Sequence, residues 1–156
     1  MYVVKVIYTL YIKLHQKKAM LLHYKSLEIK GEIEIDRLKR NSYLFIFIEE
    51  GNFKLHLSKN ENKEFSSGIL FLNNKNIEKL IAQSANGSIS IIEIDELFMS
   101  DFLVDITGLL KQHQFVKLDH EECFTNVLSL FKMMKYEIEL NHLNTYRQQH
   151  RSLREQ

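Results

Sequence analysis

Tyr43-Leu44-Phe45-Ile46-Phe47-Ile48-Glu49-Glu50-Gly51-Asn52-Phe53-Lys54-Leu55-His56-Leu57 is the stretch on which the fold turns. Six apolar residues in a row, rich in β-branched and aromatic side chains, predict a strand buried on both faces; Glu49 to Asn52 break it as a turn, and the alternation from Phe53 to Leu57 predicts a half-exposed strand. The theme repeats downstream. After a polar turn from Ser58 to Lys63 come Glu64, Phe65 and Gly68, the run Ile69-Leu70-Phe71-Leu72, and the stop Asn73-Asn74-Lys75-Asn76. Ile77 to Ala82 and Ser88 to Ile94 then flank Asn86-Gly87, a pair that tolerates positive φ and so predicts a two-residue hairpin. Short strands at this spacing predict a small antiparallel barrel or sandwich.

Upstream, apolar residues hold every even position from Tyr2 to Leu14 while Lys5, Thr9 and Lys13 hold odd ones, which predicts a half-buried strand. A polar turn at His15-Gln16-Lys17-Lys18 follows, and Met20, a candidate second start site, opens the next segment. Leu27, Ile29, Ile33 and Ile35 alternate with Glu28, Lys30, Glu32, Glu34 and Asp36, a surface strand whose charges discourage pairing between molecules. Downstream, the period changes at Asp95, a candidate N-cap. Leu97, Phe98, Phe102, Leu103, Ile106, Leu109 and Leu110 fall at helical spacing, with Gly108 as a weak point. Asp119 and Glu122 have the form of a capping box with Leu118 as staple. The stripe Phe124, Val127, Leu128, Phe131, Met134, Ile138 then predicts an amphipathic helix ending near Asn141-His142. Leu143 to Gln156 reads as a third helical segment with a poor apolar face.

The chain has 156 residues, one domain's length, enough to bury about 70% of the surface that its unfolded form exposes. With 45% hydrophobic residues, ten Phe and seven Tyr, it is globular rather than disordered. A net charge of +1 gives no bulk steering toward nucleic acid or anionic membrane. One cysteine, Cys123, excludes an intrachain disulfide and fits a reducing compartment. Met1 to Leu14 lacks the marks of a secretory leader, and no apolar run is long enough for a spanning helix. A cytoplasmic protein is expected.

Chemistry-bearing patterns are sparse. His15, His23, His56, His113, His120, His142 and His150 are scattered singly, without the close pairs that metal ligands form. His56 lies between Leu55 and Leu57 and is expected on the outward face. Cys123, in the first turn of a helix near His120, is either an acidified thiol or a small packing residue. Glu49 and Glu50 are adjacent in a turn and point apart. No nucleophile elbow or phosphate-cradling glycine loop occurs. Arg147, Arg151 and Arg154 form a basic stretch that reads either as a solvated face or as a phosphate contact. The barrel aromatics either fill the core or line a pocket for one small ligand; the candidate lining residues are Phe45, Phe47, Phe53, Leu55 and Phe71.

Leu44-Phe45-Ile46-Phe47-Ile48-Glu49-Glu50-Gly51, Ser67-Gly68-Ile69-Leu70-Phe71-Leu72, and Ile91-Ile92-Glu93-Ile94 running into Asp95-Glu96-Leu97-Phe98 resemble the N-terminal, cupin-like effector domain of AraC-type transcription regulators. The resemblance covers Leu27 to Gln156. It implies a cupin-like antiparallel β-barrel or jelly roll over residues 1–94 and two or three α-helices over 95–156, forming one structural unit. Gly51 would close an early hairpin. A small-molecule effector would occupy the barrel, and two copies would pair as a homodimer through Val127, Leu128, Phe131, Met134 and Ile138. Phe131→Asp would then yield monomer. Two departures stand out. The metal-binding His-x-His pair of cupins is missing, so no metal, cofactor or catalytic residue is expected. The helix-turn-helix module that reads DNA does not follow before Gln156, so DNA binding is expected only through a module outside this sequence. The alternatives are a stand-alone cupin-like enzyme with an atypical metal site at His56 or His113, and a solidly packed barrel that serves only for pairing.

Overall fold

Ile81–Asp95 forms one continuous strand of 15 residues, and the rest of the sheet is assembled on its two edges. The structure, a computed structural model, describes residues 2–16, 22–37, 42–58, 61–74, 77–97 and 114–154. In chain order the elements are α1 (Tyr2–Gln16), β1 (Leu22–Glu34), β2 (Ser42–Glu50), β3 (Phe53–Ser58), β4 (Glu61–Phe65), β5 (Gly68–Asn73), β6 (Ile81–Asp95), β7 (Gln114–Lys117) and α2 (Glu121–Arg154). Every pairing among the described strands is antiparallel. β1 runs along one edge of β6, from Leu22 opposite Ile94 to Glu34 opposite Ile81. The other edge is shared: β2 pairs with Ser88 to Asp95, and β3 with Ile81 to Gln83. Beyond β2 lie β5 and then β7; beyond β3 lies β4. The sheet therefore forks into two wings that curl round a common interior.

The fork corrects two expectations. Gly51 does not close a hairpin, because β2 and β3 lie end to end and both run antiparallel to β6. At φ +92 it bends one strand path and lets it change partners. Nor does Asn86-Gly87 form a hairpin: β6 runs straight through it, and the slip in register between Ile29/Gly87 and Gly31/Ser84 marks a bulge there. The Asn-Gly signal was local chemistry that fits either a turn or a bulge, and the long partner β1 selects the bulge. A Cβ at Gly51 would lie 2.7 Å from the Asn86 carbonyl oxygen, and one at Gly87 would lie 2.6 Å from the Phe53 ring. The two glycines are where the bend passes over β6. The polar stretch from Glu61 to Lys63, read as a turn, belongs to β4 and pairs with β3.

Two hydrophobic clusters lie on opposite faces of the sheet. The interior holds Ile29, Leu44, Ile46, Ile48, Phe53 and Leu55, with Phe65, Leu70, Leu72, Ile89 and Ile91. The outer face carries Phe45, Phe47, Ile69, Phe71, Ile92 and Ile94, and both helices are laid on it. α1 contributes Val6, Ile7, Leu10 and Leu14 to this cluster; α2 contributes Val127, Leu130, Phe131, Met134 and Ile138. Each such fully buried side chain stabilises the fold by about 1.5–3 kcal/mol.

Residues 2–14 are helical, not a strand. Lys5, Thr9 and Lys13 recur every fourth residue, a spacing that satisfies a period of two and one helical stripe alike. Packing against the sheet decides for the helix over the β-branched propensity of the run. Leu97 N donates to Asp95 Oδ1 at 2.9 Å, the geometry of an N-cap. The helix expected beyond it, with Phe98, Phe102, Leu103, Ile106, Leu109 and Leu110, lies outside the described residues, as does His113. Leu118 is buried beside the start of α2, and the His120 carbonyl accepts the first helical bond from Phe124 N, one residue later than an Asp119 cap implies. α2 continues through Asn141-His142 to Arg154 as one helix of 34 residues, so the third segment is its own extension. Lacking Gly or Pro, Asn141-His142 has nothing that would stop it.

Candidate functional site

Side-chain alternation gives the sheet's interior a definite composition. From β2 and β6, the residues that share the face of Leu44 and Ile91 continue as Ser42, Glu93 and Asp95 at one end. Ser42, Glu93 and Asp95 are buried there. Asn74 Nδ2 donates to Ser42 Oγ at 3.0 Å, and the Arg37 guanidinium donates to Asn74 Oδ1 and to the Ile77 and Glu78 carbonyls. Arg37 thereby ties the segment after β1 to the segment before β6 and closes this end of the barrel. Apart from the buried Ser84 and from Lys25, which lies opposite Ile91 and whose ammonium donates to the Asp36 carbonyl, the interior is apolar, with its polar groups gathered at one end, a composition suited to a mostly apolar small molecule with one polar group. Sequence periodicity missed this polar end because its members come from four separate segments and carry no spacing signal.

Of the five candidate lining residues, Phe53 and Leu55 point into the interior cluster. Phe45, Phe47 and Phe71 do not: they occupy the outer face beneath the helices, a correction to their expected place. The Phe47 ring lies 5.2 Å from Phe124 and 5.2 Å from Phe131, and Phe45 lies 5.0 Å from Phe71. A strand buried on both faces has no polar residue to reveal its phase, so the run Leu44 to Ile48 left the choice open. Leu44, Ile46 and Ile48 are the members that face inward.

The residues expected at a subunit interface are likewise placed inside the chain. Val127, Phe131, Met134 and Ile138 are at most 2% exposed, and Leu128 is half-buried against the same cluster. Their stripe seats α2 on its own sheet, so Val127, Phe131, Met134 and Ile138 are not available to a second copy, and Leu128 is only in part.

A second polar group lies on the helix side. Tyr24 OH donates to Ser90 Oγ at 2.8 Å, and Ser90, fully buried, donates to Glu49 Oε1. The Lys135 ammonium sits 5.6 Å from the centre of the Tyr24 ring. Burial pushes the Tyr24 phenol above its ordinary value; the Ser90 hydrogen bond opposes this, and the carboxylates of Glu49 and Glu139 add to it. With the folded value raised, the protonated phenol stabilises the fold at and below pH 10, and that contribution is lost as pH rises through the folded value. Wild type should therefore lose urea stability between pH 9.5 and 11 more steeply than Tyr24→Phe; parallel curves would contradict the assignment.

The other singled-out residues fall at the surface or in packing. His56 is half-exposed opposite Ile81 on β6, and His120 is exposed. Cys123 packs against the outer cluster in an α2 first turn that carries Glu121 and Glu122. The His23 and His142 rings lie 5.1 Å apart, and His142 Nε2 is 2.9 Å from the Leu22 carbonyl oxygen, to which it donates. Among the described residues no group of three His, Cys, Asp or Glu side chains is placed to hold a metal ion. No described helix is long and apolar enough to cross a membrane. An open depression of about 700 Å³ lies far along α2, with Tyr146, Arg147, His150 and Arg151 in its wall. Its described walls come from one helix, so it is a shallow surface rather than an enclosed site.

The solved structures similar to this chain include apo ToxT K231A from Vibrio cholerae, at 10% identity and TM-score 0.52 over 85% of this chain and 57% of that one. ToxT from Vibrio cholerae O395 bound to (E)-4-(8-methylnaphthalen-1-yl)but-3-enoic acid is 17% identical, with TM-score 0.50 over 80% and 55%. A Cupin 2 conserved barrel domain protein from Salinispora arenicola CNS-205 is similar more loosely, at 9% identity and TM-score 0.42 over 56% and 74%. No protein-family model and no curated protein sequence matches. ToxT is an AraC-family regulator, so the fold is the one that the sequence resemblance implied: a mainly β, cupin-like barrel with a C-terminal helix. The chain spans little more than half the length of the ToxT structures that it matches.

Proposed function

We propose that this chain is the effector-sensing part of an AraC-like transcription regulator, working without catalysis in the cytoplasm and as a pair of identical copies. The observation that carries the reading is the fold in common with ToxT over 85% of the chain. The barrel interior supports it, being mainly apolar and tied at one end by Arg37, Asn74 and Ser42. The effector is a small, mainly apolar molecule of the class represented by the aryl-butenoic acid bound to ToxT. DNA is read by a module outside this sequence. Native mass spectrometry of the freshly purified chain is expected to give metal-free protein, with a retained organic mass where the effector co-purifies. Stoichiometric iron, zinc or manganese would overturn the reading in favour of a cupin-like enzyme. Sequence-specific gel shift by this chain alone would contradict the assignment of DNA reading to another module.

A further inference from the structure

The last stretch of α2 leaves the body of the protein. Ile138 is the last buried residue of the helix, and every described side chain from Leu143 to Arg151 is exposed. Charge is segregated there. Of the 21 basic and 20 acidic residues of the chain, 18 and 19 lie before Asn141, and the other three and one, Arg147, Arg151, Arg154 and Glu155, lie beyond it. The net charge of +1 thus hides a basic end. Arg147, His150 and Arg151 share one side of it at spacings of three and four residues, and Arg154 holds the next position of the same register. At 100° per residue this side is turned about 180° from the stripe that seats α2 on the sheet. We infer that it docks on the phosphate backbone of duplex DNA without reading the sequence. The inference rests on the regulator reading and gives the sensor part a contact with DNA of its own.

Charge complementarity decides the occupant. Elsewhere cations have carboxylate partners: Lys79 lies 3.7 Å from Glu34, and Lys117 lies 3.4 Å from Asp119. Among the described residues no carboxylate pairs with Arg147 or Arg151. Their guanidinium forks are open to an oxyanion, and a fork can hold two phosphate oxygens at once. Four residues apart, the two arginines are separated by about 6 Å along the helix, which lets them hold neighbouring phosphates of one strand. Asn144, Tyr146 and Gln148 border the same open depression and bring neutral donors to it. So shallow a surface does not enclose a small anion, but it suits a charged rod laid across it. Contacts of this kind position a protein on a duplex and carry no sequence information.

Fluorescence anisotropy of the full chain with two labelled duplexes of unrelated sequence, at about 20 and about 200 mM salt, tests this. The two duplexes should bind equally. The rise in salt should weaken binding by about sixtyfold for two neutralised phosphates, and by more where His150 and Arg154 join them. Arg147→Ala combined with Arg151→Ala should remove most of that salt dependence and weaken binding at the lower salt by about tenfold or more. Both side chains are exposed, so the circular dichroism of this variant should stay that of the folded protein. Lys30→Ala combined with Lys79→Ala, an equal loss of charge on the barrel, should bind as the wild type does. No binding at the lower salt, or equal binding by wild type and the arginine variant, would overturn the inference. A strong preference for one duplex would do the same, as would tighter binding to vesicles of phosphatidylglycerol and phosphatidylcholine in equal parts. A chain that an apolar acid stabilises but that ignores DNA would sink this inference alone. One that binds DNA through Arg147 and Arg151 but carries stoichiometric metal would sink the regulator reading instead.

Discussion

Phe131→Asp is expected to leave the chain unfolded rather than to release folded monomers. Phe131 is 0% exposed, its ring is 5.2 Å from that of Phe47, and it belongs to the cluster that joins both helices to the sheet. Truncating such a phenylalanine to alanine costs about 3–5 kcal/mol. Aspartate adds a carboxylate in apolar surroundings, several kcal/mol more or a neutral acid with unmet hydrogen bonds. A domain's whole stability is of the order of 5–15 kcal/mol, so this one substitution removes most of it. Far-UV circular dichroism and urea titration check the point, with Asn126→Ala, an exposed position on the same helix, as the control. The control should move stability by about 0.5 kcal/mol or less. A soluble, folded Phe131→Asp monomer would show that the stripe does not seat the helix.

Gly51→Ala is expected to destabilise by about 3 kcal/mol, and Gly31→Ala by only about 1–2 kcal/mol. Both glycines have positive φ, +92 and +103. Around Gly31 nothing lies within 4 Å of an added Cβ, so backbone strain is its only cost. At Gly51 the same strain is joined by a contact of 2.7 Å with the Asn86 carbonyl oxygen and 2.9 Å with the Gly87 Cα, both backbone atoms that cannot rotate away. Urea midpoints of the two variants measure the difference. Equal losses would mean that the bend of β2 into β3 does not press on β6 there.

These two substitutions also mark how far the sequence could be read. The strand character of Tyr43 to Leu57, Ile69 to Leu72 and Ser88 to Ile94 was legible because β-branched and aromatic runs are bounded by polar breaks. What joins them was not: Gly51 and Asn86-Gly87 are chemically suited to turns, and only the 15-residue partnership of β6 with β1, β2 and β3 makes one a bend and the other a bulge. Phase was legible in β3, where Lys54 and His56 mark the outer side, and illegible in β2, where nothing polar interrupts Leu44 to Ile48. The helical character of α1 was illegible because polar residues at every fourth position fit both periods. The stripe on α2 was found, but its partner was not, since an apolar helical face carries no label saying whether sheet or second subunit will cover it. The polar end of the barrel left no trace, being assembled from Arg37, Ser42, Asn74, Glu93 and Asp95 by topology alone.

The sensor reading stands or falls on whether the native barrel binds an apolar small molecule. Thermal unfolding of the purified chain with and without (E)-4-(8-methylnaphthalen-1-yl)but-3-enoic acid and a panel of apolar acids of similar size measures this most directly. A ligand at about 100 times its dissociation constant stabilises the native state by about 2.7 kcal/mol. For a domain of this size that raises the midpoint by roughly 5–10 °C. A saturable rise of that order, lost in a variant that fills the interior such as Ala82→Phe, is the predicted result. An unchanged midpoint across the panel at saturating concentrations would contradict the account and leave a solidly packed barrel whose role is to carry α2.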